Sequence, residues 1–136
     1  MKKLVFILVF SLVLSLSACQ FSAHGALFDE EDRWVASGDT YSFLRALHTS
    51  NKISFGRFSG IYTIKRIESD GSFDIEIELD ISSGRFQCFL VTKDDEIILL
   101  EEGDNHIDSD GSTMRLRIAG DDAKGSMKYT ITNTDE

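Results

Sequence analysis

The most regular chemistry in this chain is a ribbon of carboxylates. Residues 73–81 read Phe73-Asp74-Ile75-Glu76-Ile77-Glu78-Leu79-Asp80-Ile81, five apolar side chains alternating with four acidic ones. That period is the signature of a half-buried antiparallel strand, so Asp74, Glu76, Glu78 and Asp80 should share one solvated face, about 7 Å apart along it. Like charges at that spacing need positive neighbours, and Lys65, Arg115 and Arg117 are the expected partners across the sheet. The ribbon is equally a candidate binding face for a cationic ligand or a basic partner protein. A second acidic group, Asp104, Asn105, Asp108 and Asp110, lies in the polar stretch 102–112 and offers hard oxygen ligands of the kind calcium takes. Against the EF-hand spacing, Asp108, Asp110 and Gly111 fit the third, fifth and sixth positions. His106 then stands at the first position and Arg117 at the twelfth, where acidic ligands are required. A calcium site here would be of another kind, and a solvated loop is the default; no other cofactor is expected.

Catalytic patterns are absent from the sequence. It has no Gly-x-Ser-x-Gly, His-Glu-x-x-His or Cys-x-x-Cys, and no phosphate-cradling glycine loop. Cys88 sits in Arg85-Phe86-Gln87-Cys88-Phe89-Leu90-Val91, the setting of a small buried hydrophobe. His24, His48 and His106 are scattered. Trp34, Tyr41, Tyr62 and Tyr129 could form an aromatic sugar-binding platform, or lie in the core with their polar tips hydrogen-bonded.

The elements that would position these residues are mostly strands. Strand patterns fall at 53–55, 61–67, 73–81, 85–92, 96–101, 113–119 and 126–132. Turn chemistry at 69–72, 82–84, 93–95 and 120–125 would reverse the chain between them. Short strands at this spacing predict a mainly β fold, a single antiparallel β-sandwich or barrel-like domain. Both 85–92 and 96–101 are apolar on both faces, which predicts central or doubly covered strands. One short helix is expected over 39–49, capped by Asp39 or Thr40, with Phe43, Leu44 and Leu47 on one side.

The N-terminus supplies an address. Met1-Lys2-Lys3 precedes an apolar run from Leu4 to Leu16, too short to span a bilayer comfortably, and small residues then lead into a cysteine. Leu16-Ser17-Ala18-Cys19 resembles the lipobox of bacterial lipoproteins. The resemblance implies cleavage before Cys19, acylation of that cysteine, and anchoring to the extracytoplasmic face of a bacterial membrane. Gln20 is compatible with an outer membrane where one is present. Two or three acyl chains would hold the protein essentially permanently, since each buried methylene contributes about 0.8 kcal/mol. The expected organisation is a signal peptide at 1–18, the lipidated cysteine and tether at 19–32, and a β-rich domain at 33–136.

Lys2 and Lys3 leave with the signal and no acidic residue does, so the net charge moves from −9 to −11. Such a balance repels nucleic acid and anionic lipid head groups, which excludes a nucleic-acid role and assigns anchoring to the lipid on Cys19. With Cys19 acylated, Cys88 has no disulfide partner. The expected function is a membrane-anchored envelope lipoprotein whose domain binds an extracytoplasmic glycan or protein and is not an enzyme. The alternatives are a structural or assembly partner of another envelope protein, or a hydrolase without a recognisable motif.

Overall fold

A computed structural model of the chain describes residues 24–133; Cys19, the lipobox and the signal peptide lie outside the described residues. Two short helical turns, Ala26–Asp29 and Glu31–Trp34, are followed by seven strands. These are β1 (Thr40–Leu44), β2 (Leu47–His48), β3 (Lys52–Ile67), β4 (Phe73–Val91), β5 (Ile97–Leu99), β6 (Gly103–Ile107) and β7 (Met114–Asn133). All pairings are antiparallel, in one sheet with the order β1-β3-β7-β4-β5; β2 adds to β3 and β6 to β4. The fold is mainly β, as expected, and it is built from three very long strands.

Those long strands explain a difference from the sequence reading. The segments 53–55 and 61–67 are one strand, as are 73–81 with 85–92 and 113–119 with 126–132. The expected turns at 82–84 and 120–125 do not reverse the chain. Their register slips instead, between Ile81 and Arg85 in β4 and opposite 55–60 of β3 across β7. Bulges draw on the same residues as tight turns, because both need backbone that twists beyond the regular strand range. Gly84, Asp122 and Gly125 all take positive φ here. Gly60 does too, and a Cβ on it would collide with the Thr40 carbonyl and the Tyr41 Cα of β1.

Because all three long strands bend at the same level, the sheet folds into two halves that share one core. Ile53, Phe55, Phe73, Ile75, Ile77, Met127 and Tyr129 come from one half. Cys88, Leu90, Met114, Leu116 and Ile118 come from the other, and all belong to a single buried cluster. Phe86 lies at the bend, stacked on Phe55 at 5.5 Å. The result is sandwich-like, with layers made from one continuous sheet.

The second half is covered on its outer face as well. Ile61, Phe89, Val91 and Ala119 pack beneath Leu27 and Trp34, with Trp34 stacked on Phe89 at 4.6 Å. The double burial expected for 85–92 therefore holds over 88–91. Folded structure also begins earlier than residue 33. Leu27 is buried, Asp29 pairs with Arg85 at 2.8 Å, and Arg85 lies over the Phe28 ring. Much of the expected tether is a strap across the sheet.

Three further expectations change. Residues 39–49 form β1 and β2, not a helix: Phe43 pairs with Phe58 and stacks on it at 4.6 Å, a tertiary contact that outweighs the local 3-to-4 spacing. The stretch 102–112 is a strand over Gly103–Ile107, because Ile107 belongs in the core opposite Phe73. The 96–101 segment contributes the edge strand β5, where Leu99 is exposed.

Candidate functional site

The carboxylate ribbon lies where its alternation places it. Phe73, Ile75 and Ile77 are buried, while Glu76, Glu78 and Asp80 are exposed and Asp74 is half-buried. The neighbours on this outer face come from β7 and β6. Glu78 is opposite Lys128, Glu76 opposite Thr130 and Asp74 opposite Thr132. On the other side, Glu76 faces Asp104 and Asp74 faces His106. Asp74, Glu76, Asp104, His106, Thr130 and Thr132 line a shallow depression of about 290 Å³.

Positive charge reaches the face through His106 and Lys128, not through the expected arginines. His106 Nδ1 is 2.8 Å from Asp74 Oδ1 and its Nε2 is 3.3 Å from Asp108 Oδ1. The hydrogen bond to Asp74 is the main cause that holds the imidazole above its ordinary pKa, with both carboxylates adding their charge. Lys65, Arg115 and Arg117 sit on the other half of the sheet, in register with one another's strands. Arg117 is fully buried there and donates to the carbonyls of Trp34, Ala36 and Gly38 and to Asp39 Oδ1. Arg115 donates to the carbonyls of Val35 and Ala36. These two arginines fasten the strap. Nothing in their alternating spacing distinguishes a charge on a solvated face from one beneath a covering segment.

The acidic residues weighed for calcium are dispersed among other partners. Asn105 holds the chain itself, accepting from the Glu101 N–H and donating to the carbonyls of Ile75, Glu101 and Gly103. Asp104 joins the ribbon face. Asp108 accepts from Ser72 Oγ, and Asp110 accepts from the hydroxyl and N–H of Ser112, which hold its carboxyl below the usual range. Among the described residues no group of three or more His, Cys, Asp or Glu side chains is arranged to hold a metal ion.

Cys88 is buried in the core, as its neighbours predict, and burial pushes its thiol up to about 12. The aromatic candidates separate. Trp34 is buried with its Nε1–H donating to the Leu27 carbonyl, and Tyr129 is buried with its hydroxyl donating to the Ser50 carbonyl. Tyr41 and Tyr62 do come together, edge to face at 4.9 Å, with Tyr41 exposed.

Asp104, His106, Thr130 and Thr132 were missed as members of the ribbon face. Strand alternation fixes only which residues share a side of one strand; which strands lie beside it depends on pairing at long range. No protein-family model matches this chain, and no curated protein or solved structure is significantly similar to it.

Proposed function

We propose that this protein is a lipid-anchored protein of the bacterial envelope that acts by binding, presenting the acidic outer face of β4, β6 and β7 to a basic segment of an extracytoplasmic partner. One observation carries the reading: Asp74, Glu76, Glu78 and Asp80 of β4 are joined by Asp104 of β6 on one solvent-facing surface. Among the described residues the basic cross-strand neighbours opposing them are Lys128 and His106, so the face keeps a net negative potential. The threonine hydroxyls beside the carboxylates add neutral hydrogen-bonding groups within the same depression. The anchoring half of the proposal rests on the sequence Leu16-Ser17-Ala18-Cys19.

Each half has its own test. A Cys19→Ala precursor should lose fatty-acid labelling and fail to fractionate with membranes; normal labelling of that variant would sink the anchor. For the face, a photo-crosslinking residue at position 76 in living cells should give a discrete protein adduct. Neutralising Glu78 and Asp80 as Gln and Asn should abolish the adduct. An acylated protein that yields none, or one indifferent to neutralisation, removes this face as the binding site.

A glycan is the second reading, favoured by the Tyr41–Tyr62 pair. It predicts a rise in melting temperature with envelope glycans that is lost in Tyr41→Ala.

A further inference from the structure

The strong net negative charge conceals an opposite local balance. From residue 40 to residue 67 the chain has no Asp or Glu and five basic residues: Arg45, Lys52, Arg57, Lys65 and Arg66. This stretch forms β1, β2 and β3, and three of the four exposed large apolar side chains among the described residues lie in it: Tyr41, Leu44 and Leu47. Every residue from 44 to 52 is exposed. Leu44 pairs with Arg57 and Leu47 with Ser54, so the two leucines flank the exposed Arg45-Ala46 connection at the sheet edge. Arg57 is paired with Asp122, and the exposed Lys65 and Arg66 lie toward the far end of β3, which leaves Arg45 and Lys52 as the basic charges beside the two leucines.

The first described residue lies beside this edge. The His24 imidazole hydrogen-bonds the Ser42 hydroxyl of β1, two residues from Leu44. Cys19 precedes His24 by five residues, which reach at most about 18 Å when fully extended. We infer that the β1–β2 edge, through Leu44, Arg45, Leu47 and Lys52, seats on the anionic surface of the bilayer that holds the acylated Cys19. The inference rests on the lipid anchor proposed above and adds an orientation to it.

Exposed leucines between basic residues suit a membrane interface, where apolar side chains enter the acyl boundary and cations meet anionic head groups. The acidic ribbon does not cancel this attraction. In the order β2-β3-β7-β4, it stands three strand spacings from β2 and two from Lys52, which is in register with Lys128 and through it with Glu78, about 14 and 10 Å at some 4.8 Å per strand. Both exceed the Debye length of about 8 Å at physiological salt. Docked by its basic edge, the domain would hold Asp74, Glu76 and Asp104 on the side away from the head groups, open to a partner.

The test uses the full-length acylated protein in vesicles of phosphatidylcholine, with or without phosphatidylglycerol, and reads amide hydrogen exchange over residues 44–52. Exchange should slow in the anionic vesicles, by roughly fivefold per basic side chain engaged. The protection should vanish in the Arg45→Glu/Lys52→Glu variant, which still sediments with vesicles through Cys19. Equal exchange on both vesicle types by protein that sediments with them overturns the docking while leaving the anchor intact. Protection that appears without vesicles and grows with protein concentration would assign the edge to a second copy of the chain, and overturns it too. A chain that carries no acyl group overturns the anchor and the docking together.

Discussion

His106 shows how one side chain ties the acidic face to pH. Its imidazole is exposed, and it is held above its ordinary pKa because Asp74 accepts its proton in a hydrogen bond, with Asp108 on the other nitrogen. A group whose pKa is raised by folding stabilises the fold while it is protonated. The contribution of His106 is therefore fully present below the unfolded value of about 6.5. It is lost as pH rises through the higher folded value. Loss of the proton also leaves the face more negative, which strengthens attraction for a basic partner over the same range. A histidine-resolved NMR titration should place His106 above the ordinary imidazole value, and Asp74→Asn should bring it down. A His106 pKa that does not move in that variant would show that Asp74 is not its proton acceptor.

At the scale of elements, the bend decides the architecture. β3, β4 and β7 are each long enough to cross both layers, and the layers face one another only because all three strands turn at one level. Gly60 is a hinge of that turn, with φ at +111° and the β1 backbone against its α-carbon. Gly60→Ala adds a Cβ to a conformation that L side chains rarely adopt and drives it into Thr40 and Tyr41. It should destabilise the protein by about 1–3 kcal/mol, more if β1 detaches. Denaturant unfolding of the variant measures this directly. A loss below about half a kcal/mol would mean that the backbone relaxes freely and that the approach of β1 is not constrained there. Gly38, by contrast, has open space around its α-carbon and is the natural control.

For the whole molecule, the strap is the second decision. Without residues 26–38 the outer face of one half would expose Ile61, Phe89, Val91 and Ala119. The buried guanidinium of Arg117 joins three strap carbonyls and Asp39 to that face. Arg117→Met keeps much of the volume but leaves those carbonyls without their donor. It should cost about 3–5 kcal/mol, the range for breaking a buried charged pair by removing one partner. Arg117→Lys should rescue little, because a single ammonium cannot span acceptors that a planar fork reaches. A melt in which Lys restores the wild-type midpoint would contradict the fork geometry.

Much of this protein follows from local sequence alone. The alternation from Phe73 to Ile81 determines a strand with one acidic face whatever the rest of the chain does, since side chains on a strand point alternately to opposite sides. Cys88 between Phe86 and Leu90 is destined for the core by its neighbours. The mainly β character follows from the density of β-branched and aromatic residues between Gly and Asp breakers. Tertiary structure alone decided the rest. Glycine and aspartate at 82–84 and 120–125 serve a reversal or a bulge equally well, and only long-range pairing selects the bulge. Phe43, Leu44 and Leu47 fit a helix by spacing, but the face of Phe58 made β1 a strand. Arg115 and Arg117 read as surface charges until the strap covers them. The carboxylates of β4 and the leucines of the β1–β2 edge lie apart because the order of strands, which no local pattern encodes, puts β3 and β7 between them.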